Sequence, residues 1–160
     1  MEKGKWKGYT EGHVYPISQL NDFLEEAIGR SDIELVKSGR STELLNIPAA
    51  FDIETSSFTL PSGAKDEETK FACMYIWQFG LNGSVIYGRT WTEFGDFLDQ
   101  LVDYLDLSIR RRLVIYVHNL GYEFQFIQKW MKWDKVFAIK NRRPVYAISG
   151  GLEFRCSLFL

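Results

Sequence analysis

The pentapeptide Phe51-Asp52-Ile53-Glu54-Thr55 alternates apolar and polar side chains with a period of two, and it constrains the fold more than any other stretch of the chain. Successive strand residues point to opposite faces. Asp52 and Glu54 therefore share one face, while Phe51 and Ile53, preceded by Ala49-Ala50, supply the apolar one. The segment reads as a buried strand carrying two like charges side by side. Burying such a pair costs several kcal/mol or raises the carboxylate pKa values, unless cations neutralise them. Asp52 and Glu54 are thus expected to ligate divalent metal.

At 160 residues and 46% hydrophobic, the chain is long enough for one unit with its own core, and its 25% charged fraction argues against disorder. A net charge of −2 excludes a polycation that holds nucleic acid through bulk charge, so any such contact must be local. Cys73 and Cys156 lie in apolar, strand-like runs and read as buried reduced thiols in a cytoplasmic setting. The N-terminal segment has no apolar stretch suited to a signal peptide, and no window approaches the roughly 18 apolar residues of a membrane span. No membrane partner is expected. Five Trp, eight Tyr and twelve Phe predict a bulky core, with some rings available to stack on unpaired bases. Residues 152–160 are strand-like and stop on apolar residues. The chain is therefore expected to be the front part of a longer protein, with its last strand an unpaired edge.

Residues 1–47 are expected to form an N-terminal extension with one short helix over 17–28, capped by Ser18, followed by loop or a brief helix over 29–46. After Pro48 the pattern predicts a strand over 49–56, a loop over 58–70, and strands 71–81 and 84–89 flanking the hairpin signal Asn82-Gly83. Thr90-x-x-Glu93 is a capping box opening a helix to about Asp106, with Phe94, Phe97, Leu98 and Leu101 on its apolar stripe. The apolar run Leu113–Val117 reads as a central strand covered on both faces and parallel to strand 49–56. A second helix over 120–133 and strands over 135–140, 144–149 and 152–158 complete residues 48–160. The order β-β-β-α-β-α-β-β-β predicts an α/β fold, a mixed sheet flanked by helices.

In the second helix Glu123 falls among Leu120, Phe124 and Ile127, on or beside the apolar stripe. It is either a first-turn acid stabilised by the helix dipole or part of a site. Asn119 sits at the strand-to-helix junction, where its side chain can cap the helix. If the strands 49–56 and 113–117 are parallel neighbours, Asp52, Glu54, Asn119 and Glu123 converge at one end of the sheet. Three acids and an amide form an all-oxygen site suited to Mg²⁺ or Mn²⁺. Two such ions about 3.5–4 Å apart serve phosphodiester hydrolysis. His118 and Tyr122 read equally well as junction and core residues or as contacts to DNA. Arg110-Arg111-Arg112 reads as a solvated turn at the opposite edge, whereas Lys129, Lys132, Lys135, Lys140, Arg142 and Arg143, against the single acid Asp134, are a candidate phosphate contact.

Phe51-Asp52-Ile53-Glu54-Thr55 resembles the first exonuclease motif, Asp-x-Glu, of DNA polymerases. His118-Asn119-Leu120-Gly121-Tyr122-Glu123 is similar to the second, in which Asn precedes an aromatic and then Asp. The chain resembles the N-terminal 3′→5′ exonuclease domain of phage-type, protein-primed family-B DNA polymerases over residues 48–160. The resemblance implies a ribonuclease-H-like (DnaQ-like exonuclease) fold, truncated at the C-terminus, that proofreads during DNA replication. It implies two Mg²⁺ or Mn²⁺ ions held by the catalytic acids Asp52, Glu54 and Glu123. It also implies contacts from Thr55, His118, Asn119 and Tyr122 to a single-stranded DNA 3′ end. Ser157 and Leu158 resemble the start of a further motif that touches single-stranded DNA and the priming protein. The implied partners are that DNA end, the polymerase portion of the same protein and a terminal priming protein, in the host-cell cytoplasm. Two departures stand out. Glu123 replaces Asp, and its extra methylene moves the carboxylate by about 1.3–1.5 Å. The third motif, Tyr-x-x-x-Asp, is absent from the sequence, so the fourth acid is expected beyond residue 160 and the isolated chain is expected to be weak or inactive. The alternative is a non-catalytic ribonuclease-H-like module that binds single-stranded DNA or the priming protein.

Overall fold

Strand-forming segments dominate the chain. The computed structural model describes residues 13–29, 32–61, 68–139 and 143–159, and in it ten strands hydrogen-bond into one mixed sheet. In chain order the elements are β1 (Val14–Pro16), α1 (Leu20–Ala27), β2 (Leu35–Ser38), β3 (Thr42–Leu45), β4 (Ala49–Pro61), β5 (Glu68–Leu81), β6 (Ser84–Gly88), α2 (Trp91–Tyr104), β7 (Arg111–Val117), α3 (Leu120–Ile127), β8 (Lys135–Ile139), β9 (Arg143–Ser149) and β10 (Leu152–Cys156). From β4 onward this is the expected order. Eight strands lie side by side as β1-β6-β5-β4-β7-β10-β9-β8, and the β2–β3 hairpin attaches through β3 to the start of β7. β4, β7 and β10 run parallel, while β4, β5 and β6 form an antiparallel meander. The architecture is α/β. No described helix is long and apolar enough to cross a membrane.

Local chemistry accounts for the turns. Asn82 and Gly83 have φ of 49° and 91°, the two positive values that a type I′ hairpin requires. The Thr90 hydroxyl accepts the Glu93 N–H at 3.2 Å, and the Glu93 carboxylate accepts the Thr90 N–H at 3.1 Å, which closes the predicted capping box of α2. Alternation then sets the faces. Phe51 and Ile53 of β4, Trp77 and Phe79 of β5, Leu113, Ile115 and Val117 of β7 and Phe154 of β10 join one buried cluster with the stripes of the three helices. Phe51 stacks on Phe94 of α2 at 4.7 Å between ring centroids, Trp77 on Phe97 at 5.5 Å, and Phe23 of α1 meets Phe97 edge-on at 6.1 Å. The other face of the sheet is more open, with Ala50, Asp52, Glu54 and Tyr116 exposed.

Several expectations are corrected. The N-terminal helix begins at Leu20 after a 3-10 turn over Ile17–Gln19, and neither Ser18 nor Gln19 caps it through a side chain. The stretch expected as loop over 29–46 contains the β2–β3 hairpin, because β7 offers an edge that local sequence cannot reveal. Leu20, Phe23, Leu24, Ala27 and Leu45 thus share the core of residues 48–160, while residues 1–12 lie outside the described residues. Much of the loop expected over 58–70 is strand. β4 and β5 continue as a two-stranded ribbon whose Phe58 and Phe71 stack across the strands at 5.9 Å, and residues 62–67 lie outside the described residues. Cys73 stands on this ribbon and is exposed; only Cys156 is buried as expected.

β7 is fully covered on one face only, since Tyr116 is exposed on the other. The helix expected to reach Trp133 stops at Ile127. Trp133 instead turns back, packs on Phe154, and donates its indole N–H to the Gln128 carbonyl at 3.1 Å, satisfying a carbonyl at the helix end. β10 is not an edge, because it lies between β7 and β9, and residues Ser157–Phe159 form a 3-10 turn. The β10 backbone is paired on both sides, so the expected unpaired edge is not found there.

Gly88 is where the core tolerates least. A Cβ there would run into the indole of Trp77, a fully buried ring fixed by donation to the Thr90 carbonyl at 3.0 Å. Gly88→Ala should lower the urea unfolding free energy by about 1–3 kcal/mol through overpacking. Gly95→Ala, on α2 with open space around it, should instead raise it by about 0.5–1 kcal/mol. Equal midpoints for the two variants would contradict this account of the core.

Candidate metal centre

β4 and β7 are parallel neighbours in register at Ala50 and Tyr116, so β7 ends level with Phe51 while β4 runs on past that edge as the ribbon to Pro61. β7 ends at Val117, His118 and Asn119 turn the chain, and α3 begins at Leu120. The Asn119 side chain does not cap the helix, contrary to expectation. Its backbone carbonyl instead accepts the N–H groups of Tyr122 at 2.9 Å and Glu123 at 3.4 Å. With the amide uncommitted to the cap and the side chain exposed, Asn119 presents a polar group at the edge.

Glu123 enters the interior from this first turn. It is 5% exposed, and its Oε2 is the one buried side-chain oxygen without a hydrogen-bond partner among the described residues. Its pKa is pushed up to about 7. Burial is the largest cause, a backbone hydrogen bond of Glu123 opposes it, and the negative charge of Asp52 adds to it. Asp52 and Glu123 are therefore electrostatic neighbours, although they stand 71 positions apart in the sequence.

The location of the first acid pair is a correction. Asp52 and Glu54 do share a face, but that face is exposed, so the burial penalty invoked from sequence does not act on them. The acid that bears it is Glu123. Among the described residues no group of three His, Cys, Asp or Glu side chains is close enough to hold a metal ion, so Asp52, Glu54 and Glu123 do not close into a single cluster. A β-bulge follows Glu54 and bends β4 at this point, where such irregularities re-aim neighbouring side chains.

Immediately past the bulge, the Thr55 hydroxyl and the Tyr122 hydroxyl hydrogen-bond at 2.6 Å, tying the ribbon to α3. Tyr122 meets Phe126 edge-on at 5.3 Å, and Phe126 stacks against Trp91 at 6.5 Å, while the Tyr122 ring stays 37% exposed. One side of the ring is braced and part of it faces solvent. His118 is exposed on the same edge, and the Cys156 thiol lies 3.7 Å from its carbonyl. Ser157 and the exposed Leu158 follow Cys156 directly, so the end of β10 brings them beside the same turn.

Two features of the open face escaped the sequence. Tyr116 lies in the run Leu113–Val117 that the sequence predicts to be covered on both faces, yet it is exposed and pairs in register with Ala50 and Arg155. Glu153 is buried between two cations: Arg155 donates to its Oε1 at 3.0 and 3.1 Å, and Arg112 to its Oε2 at 3.4 Å. Arg112 is therefore part of a paired cluster and not of a solvated turn. Of the basic residues after α3, Lys129, Lys132 and Lys135 are exposed, with Lys135 over the Tyr146 ring at 5.5 Å, and Lys140 and Arg142 lie outside the described residues.

No protein-family model, no curated protein and no solved structure matches the chain.

Glu123 gives the fold a measurable pH dependence. A carboxyl whose pKa rises from 4.5 unfolded to about 7 folded contributes stability that is complete below pH 4.5, declines above it, and is gone once pH has passed 7. Urea unfolding of the wild type should lose up to roughly 3 kcal/mol between pH 4.5 and 8 relative to Glu123→Gln. Parallel pH profiles for the two proteins would show that Glu123 ionises freely in the folded state.

Proposed function

We propose that this chain is the 3′→5′ exonuclease part of a phage-type, protein-primed DNA polymerase. In this reading it is a ribonuclease-H-like module that hydrolyses the terminal phosphodiester of single-stranded DNA with Mg²⁺ or Mn²⁺. One observation carries the reading: a buried acid with an unpartnered oxygen, Glu123, stands near Asp52 at the C-terminal end of β7, beside its parallel neighbour β4. Ligand sites of α/β sheets favour that edge. A like-charged pair with an unsatisfied buried oxygen suits a hard divalent cation, which relieves both the repulsion and the missing contact.

The donor set fits the group. Asp52 and Glu123 would hold the cation, with Glu54 on the same strand face as Asp52 and Asn119 supplying an amide at the same edge. When bound, divalent ions of this kind activate water and neutralise charge on a phosphodiester. The chain's own residues position the strand. Tyr122, braced by Thr55 and Phe126, offers a ring for a terminal base, a contact worth about 1–3 kcal/mol. His118 and Asn119 offer exposed polar groups to the sugar-phosphate, and Ser157 with Leu158 extends the edge. Hydrolysis by this chain alone is expected to be slow, because the sequence lacks the Tyr-x-x-x-Asp pattern.

The absence of a three-acid group among the described residues favours a second reading, a module that binds single-stranded DNA or a priming protein without cutting. Calorimetric titration of Mn²⁺ into the wild type, Asp52→Ala and Glu123→Gln separates the two. The exonuclease reading expects Mn²⁺ binding that weakens by roughly tenfold or more in either variant, with slow, metal-dependent loss of a 3′ label from single-stranded DNA that Asp52→Ala abolishes. Wild-type protein that binds the DNA but neither binds Mn²⁺ nor removes the label would leave the binding module as the function.

A further inference from the structure

The end of β7 opposite the acid pair carries a second charged feature. A cleft of about 300 Å³ lies between the β2–β3 turn and the start of β7, and Lys37, Arg40, Arg110 and Arg111 line it together with Ser41 and Glu43. Four cations against one acid give a strongly positive patch on a chain whose net charge is −2. Register places Glu43 beside Lys37 on one side and Arg111 on the other, which leaves Arg40 and Arg110 with no acid opposite them. Among the described residues none of the four cations is in an ion pair within 4.0 Å.

The backbone that presents these cations is pinned. Ser108 and Arg111 exchange N–H to carbonyl bonds at 2.8 and 3.0 Å, and the Ser108 hydroxyl accepts the N–H groups of Arg110 and Arg111 at 3.3 and 3.2 Å. The Glu43 N–H donates to the Arg110 carbonyl at 2.7 Å, locking the hairpin to β7. Gly39, at φ of +72°, turns the hairpin so that Arg40 and Ser41 stand at the rim. Like charges gathered on fixed backbone repel one another, and an anion relieves that repulsion. Guanidinium forks with nearby hydroxyls match phosphate oxygens. Among the described residues no aromatic lines the cleft.

We propose that this cleft binds backbone phosphates of a single nucleic-acid strand, without reading sequence, at the sheet edge opposite the acid pair. The identity of the strand rests on the proposed function; the phosphate site stands on the cleft itself. Such contacts supply affinity and register. They would hold the strand while its 3′ end is presented elsewhere on the protein.

Fluorescence anisotropy of labelled (dT)20 in EDTA, from 25 to 200 mM NaCl, tests it on wild type, on Arg40→Ala/Arg110→Ala, and on Arg40→Lys/Arg110→Lys. Arg40 and Arg110 are exposed, and Arg111, whose Nε donates to the Leu105 carbonyl, is left in place. The alanine pair should bind about tenfold more weakly at low salt, with a log–log salt slope shallower by about 1.4, two contacts at about 0.7 each. The lysine pair should retain most of the slope. Equal affinity and slope for wild type and the alanine pair, with unchanged urea midpoints, would overturn the proposal. So would the absence of (dT)20 binding by wild type, or binding of tripolyphosphate without binding of (dT)20. EDTA keeps the result independent of metal at Asp52 and Glu123, so either reading can fail alone.

Discussion

The stack of Phe51 on Phe94 decides which side of β4 is dry, and the rest of the molecule follows from that choice. β4 is central in the sheet, between β5 and β7, and Phe51 reaches α2 at 4.7 Å while touching Phe154 of β10 edge-on at 6.2 Å. Losing a buried Phe of this kind costs about 3–5 kcal/mol. A slip of one residue would drive Asp52 and Glu54 into the aromatic cluster and put Phe51 in water. The acids are therefore held on the open face by aromatic packing on the other.

Chain direction does the remaining work. Because β4 and β7 are parallel, the first turn of α3 rises at the same edge where Asp52 and Glu54 approach the end of the packed sheet, and Glu123 is forced inward there. The unpartnered oxygen and raised pKa of Glu123 are then consequences of the fold, which buries its carboxyl and sets the charge of Asp52 near it. The Thr55–Tyr122 hydrogen bond fixes the same edge from the side of the ribbon. Far from this edge the β2–β3 hairpin repeats the pattern with the opposite charge, adding its cations to those that precede β7.

Where the sequence succeeded, short-range chemistry decided the outcome. The Asn82-Gly83 turn, the Thr90–Glu93 capping box and the faces of α2 each depend on residues within a few positions of one another. Where it failed, a distant partner intervened. Residues 35–45 form a hairpin because β7 offers an edge beside them, and residues 58–61 and 68–70 are strand because they pair with each other across the ribbon. Tyr116 looked like core within an apolar run, yet one face of β7 is partly open. The extension of the second helix to Trp133 followed a helical stripe that Trp133 itself breaks by turning back to the Gln128 carbonyl.

The sequence by itself determined the order of elements from β4 onward, the alternating faces of β4 and the pairing of Asp52 with Glu54 on one of them, because period and turn chemistry are local properties of the chain. Only the tertiary structure decided that this face is exposed, that Glu123 is the buried acid, and that Glu54 does not join it in a three-acid cluster. Only it brought residues 37–43 to residues 110–111. Burial and charge proximity depend on which strands become neighbours, and that is set by the packing of the whole sheet against its helices.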